Sequence, residues 1–284
     1  MPSLSAKTIK AGVIGWPVDH SLSPRLHGFW LDQYGIDGVY MPLAVSPDNI
    51  EDAIRALPKL GFAGANVTVP HKEAAYRIVD NLSETAKKIG AVNTIICHAD
   101  GSLHGDNTDA FGFISNIRAA VANWRADANP AVVLGAGGAA RAVIAALIEA
   151  GFSEIRLTNR TIERAETLAE HFGASVRVVP WDDRHGAVDG AGLLVNTTTL
   201  GMTGKPALEI KLDGLIEGAV VNDIVYVPLQ TALLKAAEEQ GFHAVDGLGM
   251  LLHQARPGFE AWFGKRPDVS DALRQHVLAQ TGSR

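Results

Sequence analysis

Cysteine is nearly missing from this chain. Cys97 is the only one in 284 residues. A single thiol closes no intrachain disulfide, so a cystine-stapled scaffold is excluded and a reducing compartment, by default the cytoplasm, is expected. Cys97 ends the run 92–97 and reads as a small core residue rather than a nucleophile. The ten histidines include no H-E-x-x-H run and no Cys/His cluster, so no metal site is expected. Positive charge is not in excess. Lys and Arg number 25 against 31 Asp and Glu, a net charge of −6. That argues against nucleic acid or an acidic membrane surface as partner. A small anionic substrate stays compatible, because a local site can oppose the global charge. Long apolar runs are lacking too. The most apolar stretch, residues 131–152, is broken by three glycines in its first half, by Arg141 and by Glu149, and reads as strand, turn and helix rather than a membrane span. The first ten residues lack the apolar core of a signal peptide.

What is present is an ordinary globular composition, 47% apolar and 20% charged. The length suggests two domains with room for a substantial core. Strand and helix patterns alternate from the start. Strand-like runs at 8–15, 39–45, 62–69 and 91–96 are interleaved with helical patterns at 23–34, 46–57, 72–79 and 83–89. Ser23 is a candidate N-cap with Pro24 at the first helical position. This alternation predicts an α/β layer structure with a largely parallel sheet. A helix over 110–122 leads to a second series, with strands at 131–134, 154–158, 176–179, 192–196 and 219–224. Helices are expected at 162–172, 231–241, from 248 onward and at 271–280. No repeat or low-complexity segment interrupts the order.

The first motif with chemistry is Gly135, Gly137 and Ala140, a G-x-G-x-x-A turn between an all-apolar strand and an alanine-rich helix. Such a turn lets backbone approach a pyrophosphate while the helix N-terminus supplies partial positive charge. A lone match is weak evidence, and a tight turn packed for its own sake is the plain alternative. Here strand, helix and following strand all agree with a dinucleotide site. At the end of the next strand, NAD sites carry Asp or Glu for the ribose 2′-hydroxyl. This sequence has Asn159, Arg160 and Thr161, with Arg164 one turn on. A guanidinium there suits a 2′-phosphate, so NADP(H) is the expected cofactor.

The stretch 64–75, GANVTVPHKEAA, places Lys72 just beyond a short apolar run that carries Asn66 and Thr68. With a nicotinamide present, the partner reaction is hydride transfer at a carbonyl or alcohol carbon, and a carbonyl oxygen needs a proton donor. Lys72 can serve if a carboxylate holds its ammonium. Asp106 and Asp109 are candidates. Asp109 is the better one because it immediately precedes the helix leading into the glycine-turn region, although Asp is also a frequent N-cap.

These blocks resemble the shikimate dehydrogenase family. The resemblance rests on residues 15–24 (GWPVDHSLSP), 66–72 (NVTVPHK), 91–94 (AVNT), 106–112 (DNTDAFG), 135–141 (GAGGAAR) and 159–161 (NRT). Residues 196–202 (NTTTLGM), 226–228 (YVP) and 246–255 (DGLGMLLHQA) complete the order. The resemblance covers nearly the whole chain. It implies an α/β protein of two domains: an N-terminal substrate domain, residues 1–111 with a returning tail 247–284, and a Rossmann-type NADP-binding domain, residues 112–246. It implies NADPH-dependent reduction of 3-dehydroshikimate to shikimate. Lys72 would be the catalytic acid/base, paired with Asp109. Ser21 and Ser23 would hold the substrate carboxylate, with Tyr226 near it. Thr68, Asn93, Asp109 and Gln254 would bind ring hydroxyls, with Asn66 supporting them. Gly135, Ala136, Gly137, Gly138 and Ala139, with Asn159, Arg160, Thr161 and Arg164, would bind NADP. Glu84, Ile224 and Gly247 would line the cofactor. A monomer or homodimer is expected. Two departures stand out: Gly28 follows His27 where the family often has Asn, and residues 196–199 read NTTT instead of Asn-Ala-Thr-Ser. A broader branch that also oxidises quinate and often uses NAD, and a non-catalytic NADP(H)-binding sensor, remain alternatives. The intact Lys72 and Asp109 weigh against the sensor.

Overall fold

The computed structural model describes residues 4–126 and 128–279. The chain divides into two compact units. The first comprises residues up to Asp109 together with those from Leu251 onward, and the second is Ala110–Met250.

The first unit holds β1 (Ile9–Gly15), α1 (Ser23–Tyr34), β2 (Gly38–Ala44), α2 (Ile50–Ala56), β3 (Phe62–Val67), α3 (Lys72–Ile78), β4 (Asn81–Leu82), α4 (Glu84–Ile89), β5 (Thr94–Cys97) and β6 (Leu103–Asp106). Its sheet runs in the order β2-β1-β3-β5-β6-β4. β1 pairs in parallel with β2 and β3, whereas β5 is antiparallel to both β3 and β6. β4 pairs in parallel with β6, so the sheet is mixed but largely parallel, with β5 the one reversed strand. The short connection between β5 and β6, closed by the Gly101 amide on the His98 carbonyl at 2.9 Å, leaves no room for the crossover that a parallel neighbour needs.

α1 begins at Ser23 with Pro24 in its first turn, and Leu22, not Ser23, is the cap residue. The Ser23 hydroxyl is thus not consumed by capping, contrary to the sequence expectation. Leu26, His27, Trp30 and Leu31 form one buried stripe on α1. The C-terminal tail packs on this unit. Trp30 Nε1 donates to the Asp268 carbonyl at 3.0 Å, and Trp262 Nε1 donates to that of Ile95 at 3.0 Å. Gly64 makes the second contact feasible, since a Cβ there would lie 2.2 Å from that indole nitrogen.

α5 (Asp109–Ala120) opens the second unit. Then come β7 (Ala131–Leu134), α6 (Gly138–Ala150), β8 (Ile155–Asn159), α7 (Ile162–Phe172), β9 (Val176–Pro180), α8 (Arg184–Ala187), β10 (Leu193–Asn196), β11 (Val220–Asp223), α9 (Ala232–Glu239) and β12 (His243–Val245). α10 (Leu248–Phe263) and α11 (Asp271–Leu278) complete the chain. The expected extension of the last helix to Gln280 lies outside the described residues. All pairings of the second sheet are parallel, in the order β12-β11-β10-β7-β8-β9. Counted from β7 this is the doubly wound order 3-2-1-4-5-6, whose ligand crevice lies at the carboxyl ends of β7 and β10. β7 is buried on both faces, as a central parallel strand must be. Ala131 and Val133 join the core with Val143, Leu147 and Phe113, while Val132 and Leu134 join the opposite core with Leu215 and Leu233.

Candidate active site

Lys72 is placed by the segment that turns β3 into α3. The Thr68 amide donates to the Ile14 carbonyl at 2.9 Å, which ties this segment to the end of β1. The His71 amide donates to the Thr68 carbonyl at 2.9 Å, and the His71 ring donates from Nε2 to the Val45 carbonyl at 2.7 Å. The Val69–Pro70 peptide is cis. Lys72 is then the first residue of α3, and its carbonyl accepts from the Val92 amide at 2.9 Å.

Lys72 Nζ lies 2.5 Å from Asp109 Oδ2, with side chains 16% and 3% exposed. The other carboxylate oxygen, Oδ1, accepts from Asn93 Nδ2 at 2.8 Å. The Asp109 carboxylate is not the cap of its own helix. Its amide is held instead by Asn107 Oδ1 at 3.0 Å. Asp106, the other candidate carboxylate, accepts from the Ser83 hydroxyl and from the Asn107 amide. An ion pair this enclosed contributes little net stability, because desolvation offsets the attraction, yet removing one partner strands a charge at a cost of about 3–5 kcal/mol. Its value is positional: the ammonium is fixed at one spot with protons to give.

Asn93 is itself fixed. Its Oδ1 accepts from the Thr108 amide and from Thr94 Oγ1, both at 2.9 Å. Asn66 Nδ2 donates to the Asn93 carbonyl at 3.2 Å and to Thr94 Oγ1 at 3.1 Å. Asn66 Oδ1 accepts from the Tyr40 phenol at 2.6 Å. Asn66 and Thr68, two apart, fall on one side of the extended segment. The Tyr40 ring stacks on His27 with centroids 3.9 Å apart and planes 2° from parallel. Ser23 neighbours the same phenol, and Ser21 Oγ accepts from the Ser23 amide at 3.3 Å. Gln254 is half-buried on α10. Sequence reasoning did not single out Tyr40, Thr94, Asn107 or Thr108. A polar residue at a strand end has many plain explanations, and only the fold shows which amide it faces. Glu84 is exposed at the start of α4 and paired with Lys87 at 2.7 Å, which holds its carboxyl below the usual range.

In the second unit, the chain leaves β7 at Gly135 with φ 105°, and α6 begins at Gly138. A Cβ at Gly135 would stand 2.7 Å from Thr197 Oγ1, so only glycine fits the turn without strain. A Cβ at Gly137 would meet nothing within 4 Å, so the backbone there faces open space. Thr197 donates from Oγ1 to the Leu134 carbonyl at 2.7 Å. The threonine run at 197–199 thus braces the turn from β10. Ala136 lies in the same turn, and Ala139 in the first turn of α6. Asn159 ends β8 and its side-chain amide donates to the Thr161 carbonyl at 2.7 Å. Arg160, Thr161 and Arg164 are exposed beside it. Ile224 and Gly247 are brought together after β11 and β12, where a Cβ on Gly247 would lie 2.1 Å from the Ile224 carbonyl oxygen. Tyr226 is half-buried, and burial pushes its phenol up, so it is a neutral donor at neutral pH. Asp223 accepts from Thr231 Oγ1 at 2.7 Å, Asn196 Nδ2 at 2.9 Å and the Val225 amide at 3.0 Å, yet burial leaves its carboxyl above the usual range. Open backbone at a helix N-terminus, with two exposed guanidiniums at the end of the next strand, fits a dinucleotide carrying a 2′-phosphate. Among the described residues no group of three or more His, Cys, Asp or Glu could hold a metal ion, and no helix is long and apolar enough to cross a membrane.

Residues 13–95 match the family model for the shikimate dehydrogenase substrate binding domain. Residues 119–201 match that for shikimate/quinate 5-dehydrogenase, and residues 247–277 that for the shikimate 5′-dehydrogenase C-terminal domain. A shikimate dehydrogenase (NADP(+)) of Paramagnetospirillum magneticum is 61% identical over 97% of this chain and 100% of its own length. One from Rhodospirillum rubrum is 58% identical over 98% and 99%. A solved structure of shikimate 5-dehydrogenase from Thermus thermophilus in complex with NADP(H) and shikimate superposes with a TM-score of 0.83 at 37% identity, covering 96% of this chain and 100% of that one.

Proposed function

This chain belongs to the shikimate dehydrogenase family, and from that premise we infer that it catalyses the reversible, NADPH-dependent reduction of 3-dehydroshikimate to shikimate, a step towards chorismate and the aromatic amino acids. The observation that carries the reading is the enclosed contact between Lys72 and Asp109, 2.5 Å apart, in a chain that also bears the glycine turn. NADPH, when bound, supplies hydride to the carbonyl carbon. Gly135 to Ala139 would cradle its pyrophosphate, Arg160 and Arg164 its 2′-phosphate, and Asn159 and Thr161 the adjoining ribose. Glu84, Ile224 and Gly247 would line the rest of the cofactor.

The chain's own residues do the remaining work. Lys72 donates a proton from Nζ to the carbonyl oxygen as that oxygen gains charge, and takes it back when shikimate is oxidised. Asp109 holds the ammonium in place, and Asn93 holds Asp109. Ser21, Ser23 and the neutral Tyr226 phenol bind the substrate carboxylate through hydrogen bonds. Asn93, Thr68 and Gln254 bind ring hydroxyls, and Asn66 supports Asn93. A hydroxyl-rich acid is discriminated by such groups, because each is left unpaired when the matching hydroxyl is missing. The single thiol suits a reducing compartment, the cytoplasm, where the chain would act as a monomer or homodimer.

Initial rates of oxidation of shikimate and of quinate, each with NADP and with NAD, test the reading. Fast turnover with shikimate and NADP alone is expected. Equal rates with NAD or quinate would transfer the protein to the broader branch. No turnover in protein that binds NADP would make it a sensor.

A further inference from the structure

A continuous line of hydrogen bonds runs from Tyr40 on β2 to Lys72. Ser23 lies beside the Tyr40 phenol and offsets part of the rise that burial gives it. Tyr40 donates to Asn66 Oδ1 at 2.6 Å, and Asn66 Nδ2 donates to Thr94 Oγ1 at 3.1 Å. Thr94 donates to Asn93 Oδ1 at 2.9 Å, and Asn93 Nδ2 donates to Asp109 Oδ1 at 2.8 Å. The opposite oxygen of Asp109 receives Lys72 Nζ. Every donor points the same way, towards the Asp109 carboxylate. Aligned hydrogen bonds polarise one another, and the strongest are those ending on a charge.

We propose that Tyr40 is a positioning residue for catalysis, its hydroxyl anchoring the far end of the line that runs through Asn66, Thr94 and Asn93 to the Asp109–Lys72 pair. The proposal rests on the reading of Lys72 as proton donor.

Tyr40 is built for a fixed role. It is 7% exposed and sits flat on the fully buried His27, with Trp262 6.0 Å away. Burial keeps the phenol protonated and the His27 ring neutral. The donor to Asn66 is therefore permanent, and no charge lies behind it. Without that donor, Asn66 Oδ1 faces an apolar ring, and the Asn66 amide can turn over and present nitrogen where oxygen stood. Both the Thr94 and the Asn93 contacts would then be lost, because both use Asn66 Nδ2.

This gives a signed expectation for Tyr40→Phe, which keeps the stacked ring and deletes one oxygen. The loss of one buried hydrogen bond lowers kcat about tenfold. The KM for shikimate and the KM for NADP are unchanged. A purely structural defect would not split the constants in that direction. Asn66→Ala cuts the line one link further on and lowers kcat too, and adding Tyr40→Phe to it costs nothing more, as for members of one network. Wild-type kcat in Tyr40→Phe, or losses that multiply in the double variant, would overturn the proposal. If Tyr40→Phe fails to fold, Asn66→Ala with unchanged kcat overturns it equally. Lys72→Ala in the same assay separates the two levels. Full activity there would defeat the proton-donor reading itself. An inactive Lys72→Ala beside a fully active Tyr40→Phe defeats only the role of Tyr40.

Discussion

His27 shows how a polar residue can be used as packing. Its ring is fully buried among Trp30, Tyr40, Phe259 and Trp262, and neither ring nitrogen has a hydrogen-bond partner. Burial alone holds its pKa down to about 3 from an ordinary 6.5. The folded protein binds this proton less readily than the unfolded chain. The resulting stability is whole above pH 6.5 and is lost as pH falls from there towards 3. The loss is about 1.4 kcal/mol per pH unit, on the order of 5 kcal/mol across the window. Urea midpoints measured from about pH 7 to about pH 4 should fall accordingly, and His27→Phe should flatten that slope. An equal slope in the variant would show that other groups set the acid limit. Cys97 is the opposite case: burial pushes its thiol up to about 11, which keeps it inert at neutral pH and agrees with its reading as a core residue.

At the scale of elements, the turn from β7 to α6 carries a prediction. Gly135 has φ 105° and faces Thr197 and Thr198. Gly135→Val should weaken NADP binding by roughly tenfold or more, through strain and displacement of the turn. The measurement is NADP titration, and unchanged affinity would place the cofactor elsewhere. The same turn explains what was legible in the sequence. An all-apolar strand, three glycines and an alanine-rich helix define one βα unit almost without alternatives, and strands buried on both faces announce a parallel sheet. Other elements left little trace. β4 is two residues long, β12 three and α8 four, too short for any periodicity. β5 reads as a strand, but its antiparallel direction is set by the short connection to β6, which no propensity reveals. Capping was misjudged for a similar reason. Ser23 has a capping residue's chemistry, yet helix geometry begins at Ser23 itself. Tyr40 looks in sequence like any aromatic in a strand. Only pairing of β1 with both β2 and β3 brings its hydroxyl to Asn66.

At the scale of the molecule, the chain assembles two kinds of chemistry on two kinds of sheet. The doubly wound sheet offers backbone at a helix N-terminus and exposed guanidiniums, which suit phosphate. The mixed sheet offers neutral amides and hydroxyls around one enclosed ion pair, which suit a hydroxylated acid that must be protonated at one oxygen. A net charge of −6 does not oppose binding of anionic substrate and cofactor, since the groups that meet them are local. The central claim is that Lys72 supplies the proton. The most direct measurement is steady-state oxidation of shikimate with NADP by Lys72→Ala beside the wild-type chain. The account predicts that kcat falls by about 10²–10⁴-fold with little change in KM, as expected when a general acid/base is removed. A variant that keeps kcat and changes only KM would make Lys72 a binding residue and contradict the account.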